Sequence, residues 1–317
     1  MSITPQVSVI INNYNYGRFL PRAIDSALDQ TGVAAEIIVV DDGSTDDSRA
    51  ILRGYGDAIR PVLQANAGQA AALNAGVAAA RAPLLAFLDA DDWWYRDKLA
   101  RVCFAFEKAP KAGLAYHRLQ PMDSGERPAF APIPRTLCSG DLAPRLLRSG
   151  GRWPFPMTSS LTVRRGVWDD AGDIPAGFRI SADAWIAGIL PFLAPVVALA
   201  EPLGAYRIHQ NAWYRASDDH AMLARRHAHW AETVAVTNRV LAARGLPGRL
   251  RIEDHFAASV AAARLGLDGA PGPAALALRG LRDRGEPNLL RRARDTVAAL
   301  SDLRRDRLAA RGELHAS

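Results

Sequence analysis

The chain is short of residues that could tie it together covalently. Its 317 residues include two cysteines, Cys103 and Cys138, and neither stands in a Cys-x-x-Cys pair. A disulfide framework and a zinc ribbon are therefore excluded. It also lacks a long apolar run. The most apolar stretch, Ala184 to Ala200, is broken by Pro191 and Pro195 and flanked by Asp183 and Glu201, which is too short and too interrupted for a membrane span. No basic segment followed by an apolar one opens the sequence, so the expectation is a soluble, reduced, cytoplasmic protein. No Gly-x-Gly-x-x-Gly follows the first apolar run, which disfavours a dinucleotide fold. No G-x-x-x-x-G-K-[ST] occurs, which excludes a P-loop NTPase.

What the chain does have is a regular alternation. With 49% hydrophobic and 23% charged residues it can fill a core without a staple. Val7–Asn12, Glu36–Val40, Arg60–Gln64 and Leu84–Leu88 read as strands, three of them apolar enough to be buried on both faces. Gly17–Gln30, a segment capped by Ser44 or Thr45 with Asp46 and Asp47 in its first turn, Gly68–Ala80 and Asp97–Lys108 read as the helices between and after them. Repeated strand–helix units predict an α/β, doubly wound, mostly parallel sheet of Rossmann-like type. Beyond Tyr116 the order loosens. Gln120–Pro134 reads as a loop or lid, Ser159–Arg164 as a strand, Arg179–Pro191 as a helix and Pro195–Tyr206 as strand–turn–strand. The pattern from Asp218 onward is helical, so the expected organisation is a domain over residues 1–215 and a C-terminal helical appendage over 216–317.

The net charge of +6 is uneven. From Arg244 to Ser317 fourteen Arg stand against nine Asp or Glu, so nearly all of the excess sits in the last helices. A basic, Ala/Leu-rich helical tail reads as a solvated helix face or as a peripheral contact with acidic lipid at the inner face of a membrane.

Ligands of an open parallel sheet bind beyond the carboxyl ends of its strands. There the first strand ends in Asn12-Asn13-Tyr14-Asn15, the second in Asp41-Asp42-Gly43-Ser44 and the fourth in Asp89-Ala90-Asp91-Asp92-Trp93-Trp94. Five carboxylates along one edge repel unless something positive binds among them. Hard oxygen donors suit Mg²⁺ or Mn²⁺, held by one or two carboxylates plus the phosphates of a substrate. Nucleic acid does not fit an acidic cleft.

In order and spacing, VSVIINNYNYGRFLPRAIDSALDQ, EIIVVDDGSTDDSRAIL, NAGQAAALNAGVAAA and LLAFLDADDWWYRDKL closely resemble glycosyltransferase family 2. The resemblance is dense over about 110 residues and thins toward Asn211. It implies a GT-A fold and a metal-dependent, inverting, hexosyltransferase-type enzyme. The donor implied is a nucleotide-diphosphate sugar, UDP-sugar foremost, and the acceptor hydroxyl belongs to a surface polysaccharide, glycan or lipid-linked sugar. It further implies that Asn12 and Tyr14 lie near the base, that Asp42 bonds the base edge and that Asp41 is structural. Asn66, Gly68 and Asn74 would flank the ribose and diphosphate, and Asp89 and Ala90 the ribose. Asp91 would hold the metal, helped by Asp92 and by His209 of Tyr206-Arg207-Ile208-His209. Asp183 would be the catalytic base.

The sequence departs from the family pattern at three places. Ala182 stands where a Glu usually precedes Asp183, Leu73 where an Arg usually precedes Asn74, and Arg96 where a Pro usually follows the tryptophan pair. The missing Arg would shift diphosphate neutralisation to the metal, Arg207 or His209. Trp153 is a candidate acceptor platform, while Trp168 and Trp185 read as core. The rival reading is a non-catalytic nucleotide-sugar-binding or scaffolding protein that works through its basic tail.

Overall fold

A computed structural model describes residues 4–178, 181–208 and 219–314, with side chains followed through 309. The strands are β1 (Val7–Asn13), β2 (Ala35–Asp42), β3 (Arg60–Gln64), β4 (Leu84–Asp89), β5 (Trp93–Trp94), β6 (Leu114–Met122), β7 (Leu161–Arg164) and β8 (Val196–Arg207). They form one sheet in the order β3-β2-β1-β4-β7-β6-β8-β5. β1, β2, β3 and β4 pair in parallel, as does β6 with β8, whereas β7 runs antiparallel between β4 and β6 and β5 antiparallel to β8. β1 has β2 on one side and β4 on the other, so the chain reverses its direction of growth there. That is where a crevice opens beyond the strand ends.

The β-branched runs explain the layering. Val9 and Ile11 of β1 and Ile37 and Val39 of β2 face one way, into a core completed by α1 (Leu20–Leu28) and α4 (Lys98–Lys108). The alternate residues Ile38 and Val40 pack with Ala72 of α3 (Gln69–Ala79) on the opposite face. Strands covered on both sides need unbroken apolar sequence, and these have it. The Ala-rich composition of α3 lets it lie close to the sheet. A Cβ on Gly76 would come within 2.3 Å of Ile10 Cγ2 and 3.2 Å of Val40 Cγ2, so this position has no room for one.

Three expectations change in detail. The second helix, α2 (Ser48–Gly54), begins after the acids and not with them. Asp46 instead accepts from Ser48 N at 3.0 Å and Gly17 N at 2.8 Å, tying the turn after β2 to the turn after β1. β6 runs on through Gln120 to Met122, and the expected lid is a hairpin arm with a turn at Asp123–Arg127, closed by hydrogen bonds onto Asp123. Pro195–Tyr206 is not two strands but one, β8, whose pairing shifts opposite Arg118, next to Pro202. A proline cannot donate to the ladder, and the irregularity accommodates it. Among the described residues no helix is long and apolar enough to cross a membrane.

The chain folds as two compact units. The sheet unit is Met1–Leu142 with Phe155–His209. The helical unit is Ala143–Pro154 with Gln210–Ser317. The second unit contains α5 (Ala143–Leu147), α8 (His220–Ala243), α9 (Phe256–Leu265), α10 (Pro273–Leu281) and α11 (Leu289–Leu314), around a core of Phe256, Leu276, Ala299 and Leu303. The segment 143–154 is built into it. Arg152 pairs with Asp283, and Gly150, at φ +61°, lies where a Cβ would meet Arg251 O at 2.5 Å.

Gly76→Ala is expected to destabilise the protein. Overpacking against stiff, buried Ile10 costs about 1–3 kcal/mol, against at most about 1 kcal/mol regained in helix propensity. Gly166→Ala, in α6 (Arg165–Ala171) with open space around it, serves as the control and is expected to be neutral or stabilising. Denaturant midpoints of the two variants check this.

Candidate functional site

The register brings the acids together. Asn12 of β1 pairs with Asp89 of β4, and Asn13 with Asp41 of β2. Asp41 is fully buried, and burial alone would raise its pKa. Hydrogen bonds from Ser44, Arg49 and Asn13 outweigh that and hold it below the usual carboxylate range. Its oxygens are engaged by Asn13, Ser44 and Arg49 within the protein. Asp42 is saturated: Oδ1 accepts from Gln64 Nε2 at 2.7 Å and Ala67 N at 2.9 Å, Oδ2 from Gly68 N at 2.8 Å and Asn66 Nδ2 at 3.2 Å. Its carboxylate therefore braces the Asn66–Gly68 turn that leads into α3. Gly43 makes that closeness possible, since at φ +80° its Cβ would sit 2.6 Å from Asn66 N.

Beyond β4 the acids crowd. Burial first, then the charges of Asp91 and Asp183, push the Asp89 pKa up, while hydrogen bonds from Asn12 and Gln69 restrain it. Asp92 is buried, and burial followed by the charges of Asp91 and Asp89 raises it well above the carboxylate range. Asp183 opens α7 (Asp183–Ile189) from a distant part of the sequence. Burial pushes it up to about 6, against hydrogen bonds from Ser181, Ala184 and Thr158. Its Oδ1 is buried and has no partner. Two phenols share the same field. Burial and the charges of Asp91 and Asp89 push Tyr16 up to about 12, and burial and all four carboxylates raise Tyr206.

The turn Thr158–Ser160 before β7 organises this cluster. Ser159 Oγ donates to Asp92 Oδ2 at 2.6 Å and accepts from Asp89 N at 3.1 Å, and Ser159 O accepts from Trp94 Nε1 at 2.7 Å. A second bridge is Gln69, the first residue of α3. It donates from Nε2 to Asp89 Oδ1 at 3.1 Å and accepts at Oε1 from Ala182 N at 3.0 Å. Neither residue is singled out by sequence pattern. The available signals were slight: a hydroxyl run, Thr-Ser-Ser, before an apolar strand, and a lone Gln in an Ala-rich helix.

Several expected roles shift. Asp92, expected to help Asp91 at a metal, accepts from Ser159 Oγ at Oδ2 and, at 2.9 Å, from Arg207 N at Oδ1. It anchors the acidic turn from behind. Arg207 is likewise committed: Nε donates to Asp91 O at 3.0 Å, Nη2 bonds Glu126 at 3.2 Å, and the guanidinium lies between the rings of Phe19 and Trp93 at 4.6 and 4.7 Å. Arg22 stacks on the Trp93 ring at 4.0 Å and also pairs with Glu126, at the turn of the β6 arm. Asn74 spends both ends of its amide on the backbone of Ile174, at 2.9 and 3.0 Å, and so holds that loop instead of reaching into the cleft. Leu73 is fully buried. Ala90 is buried and donates its N–H to Asn12 O, whereas Tyr14 and Asn66 are exposed. Trp168 and Trp185 are core, 5.7 Å apart. Trp153 is also buried, in the helical unit, and offers no open platform. His209 lies outside the described residues.

Among the described residues no three of His, Cys, Asp and Glu are arranged to hold a metal by themselves. A divalent ion bound partly through substrate phosphates needs only one or two protein carboxylates. The mutual repulsion of Asp89, Asp91 and Asp92 is what such an ion would relieve. The oxygen donors present fit Mg²⁺ or Mn²⁺, and half-buried Asp91 is among those that could hold one.

Residues 8–146 match the model of glycosyl transferase family 2. A glycosyltransferase of Nostoc sp. is 43% identical over 210 residues, which are 64% of this chain and 65% of that protein. The putative teichuronic acid biosynthesis glycosyltransferase TuaG of Bacillus subtilis is 35% identical over 142 residues, 43% of this chain and 56% of that one. The chain thus spans somewhat under two thirds of the length of these relatives. Among solved structures, S. aureus TarS in complex with UDP superposes with a TM-score of 0.55 at 16% identity, over 97% of this chain and 92% of that one. The mannosyltransferase PcManGT of Pyrobaculum calidifontis, in complex with GDP-Man and Mn²⁺, gives 0.54 at 19% identity, over 97% and 88%. At these identities the superpositions establish the fold, a GT-A sheet followed by helices.

The Asp183 pKa has a consequence for stability. A carboxyl raised from 3.8 to about 6 binds its proton more tightly folded than unfolded, so stability is lost as pH rises from about 4 through about 6. Asp183→Asn removes that loss. Its Tm is expected to exceed that of the wild type by ~6–12 °C at pH 7.5 and to converge with it near pH 4, as calorimetric scans at both pH values will check.

Proposed function

Residues 8–146 of the chain are a glycosyltransferase family 2 domain, and from that premise we propose that the protein is a metal-dependent inverting transferase. It moves a sugar from a nucleotide-diphosphate sugar to an acceptor hydroxyl in the synthesis of a polysaccharide or lipid-linked glycan. The polysaccharide assignment leans on TuaG, and the nucleotide-sugar donor on what TarS and PcManGT bind. UDP-sugar is the first candidate, with GDP-sugar next.

One observation carries the reading. Asp183 comes from a different segment than Asp89–Asp92, shares their field, has a free buried oxygen and holds its proton up to about pH 6. A base that is deprotonated at neutral pH yet close to it in pKa is well matched to removing a hydroxyl proton as the bond to the sugar forms, which is worth about 10²–10⁴-fold in rate. In a single displacement the acceptor hydroxyl attacks the anomeric carbon from the side opposite the diphosphate. Asp183 takes the hydroxyl proton and the nucleoside diphosphate departs with the bonding pair. A divalent ion at Asp91, when bound, supplies Lewis-acid stabilisation of that leaving diphosphate. Asp89, held by Gln69 and Asn12, lies at the donor end, where it fits the ribose hydroxyls. Asp42 acts through the Asn66–Gly68 turn that it braces.

The helical unit fits a lipid surface. Leu290, Val297 and Leu308 are 83%, 64% and 58% exposed and recur on one side of α11. Exposed Arg294, Arg304 and Arg305 flank them. Apolar side chains edged by arginines suit the interface of an anionic bilayer, where a lipid-linked acceptor would be presented.

Two measurements test these assignments. Calorimetry with UDP, GDP and dTDP, with and without Mn²⁺, is expected to show metal-dependent binding of one nucleotide that Asp91→Ala abolishes. Asp183→Asn should keep that binding within about threefold and lose at least ~10²-fold in transfer rate; a variant that still transfers at the wild-type rate refutes the base. For the surface, the wild type is expected to float with phosphatidylglycerol vesicles, and the triple substitution of Leu290, Val297 and Leu308 by Ser to remain behind.

A further inference from the structure

Gln69 connects two parts of the site that the sequence supplies separately. Its amide is used at both ends: Nε2 on the carboxylate of Asp89 and Oε1 on the N–H of Ala182, the residue before Asp183. That second contact falls on a turn that needs holding. Ser181 has φ +62°, a left-handed conformation that a serine pays for. Its carbonyl accepts from Ala184 N at 3.0 Å, and its hydroxyl bonds Asp183. α7 is only seven residues long, and its N-cap residue, Ala182, has no side chain with which to cap it. The Gln69 amide is thus the side-chain contact that fixes Ala182, and with it the direction in which Asp183 leaves the backbone.

We infer that Gln69 is a positioning residue that couples the donor end of the cleft, at Asp89, to the orientation of Asp183. The inference rests on the reading of the cleft as a glycosyl-transfer site. An amide is the side chain suited to this place. A carboxylate at position 69 would repel Asp89, a lysine could not accept from Ala182, and an aliphatic chain could do neither. When a nucleotide and its metal settle against Asp89 and fix its carboxylate, the amide is fixed too, and so is the turn bearing Asp183. Ala182, where the family pattern has an acidic residue, presents only its backbone here, and Gln69 is a side chain that joins it to the carboxylate of Asp89. Gln69 touches no reacting atom. Its contribution is to the accuracy with which Asp183 is aimed, and a displacement of about 1 Å at such a group can cost ~10²-fold in rate.

The test compares wild type, Gln69→Leu and Gln69→Glu as full-length chains. Hydrogen exchange of the peptide spanning residues 182–186 is followed by mass spectrometry with and without UDP and Mn²⁺, beside calorimetric binding of UDP. In the wild type, UDP with Mn²⁺ is expected to slow exchange there several-fold. In Gln69→Leu that slowing should vanish although UDP still binds within about threefold. Its kcat should fall ~10–100-fold with the donor KM nearly unchanged. Gln69→Glu keeps an acceptor for Ala182 N, so it should retain protection of that amide without nucleotide but lose the nucleotide-induced slowing. Slowing that persists in Gln69→Leu, or a kcat equal to wild type, overturns the coupling. If the wild type binds none of UDP, GDP or dTDP, the functional reading fails instead. The tether is then decided by exchange without ligand, where unchanged protection of 182–186 in Gln69→Leu overturns it.

Discussion

Everything at the working end of this protein follows from the cost of crowding four carboxylates. The charges of Asp91 and its neighbours raise the pKa of Asp89, of Asp92 and of the tyrosines beside them, and burial raises Asp89, Asp92 and Asp183. Such a group is unstable unless neutral dipoles hold each member and a cation arrives to share the charge. The structure supplies the dipoles in advance. Ser159 serves Asp92 and the Asp89 backbone, Gln69 and Asn12 serve Asp89, and Thr158, Ser181 and Ala184 serve Asp183. The fold accepts a standing electrostatic load so that the cleft is ready for a positive partner.

The load also bears on how positive charge is placed around it. Among the described residues Arg207 reaches the acidic turn, through Asp91 O and Asp92 Oδ1, with its guanidinium against two aromatic rings. An arginine in the open cleft would neutralise the acids permanently and compete with a metal. Held between Phe19 and Trp93 and bonded to Glu126, its charge is already spent. Leu73, where the family pattern has an arginine, is sealed in the core.

Much of this could be read from the sequence, because strand ends are legible. Unbroken β-branched runs mark buried parallel strands, and polar residues directly after them must stand at the sheet edge. The placement of Asp41, Asp42, Asp89 and Asp91 follows, whereas Asp183, which opens a helix, was indicated by the family resemblance alone. What could not be read was which polar atoms would be consumed internally. Asn74, Asp92 and Arg207 have the chemistry of ligand-binding residues, yet their hydrogen bonds end on Ile174, Ser159 and Asp91, partners fixed by tertiary geometry at separations of 67 to 116 residues in the last three contacts. The β6 arm was obscured by its prolines, which suggest a loop although the flanking strand continues. Ser159 and Gln69 carry no periodic signal, since single polar residues that bridge two loops leave none.

The path of the chain through its two units has a consequence for how the protein is made. Residues 143–154 belong with helices that lie between sixty-six and more than a hundred residues further on. During synthesis this segment emerges early, with Leu146, Leu147 and Trp153 ready to be buried, and must wait for Gly248, Arg251, His255 and Asp283 before its neighbours exist. The sheet unit must close around the excursion, bringing Phe155 and the strand that follows it back beside β4. Gene rearrangement meets the same obstacle. The helices cannot be exchanged for another set by a single crossover after the sheet, because a dozen residues of their packing are written into its middle.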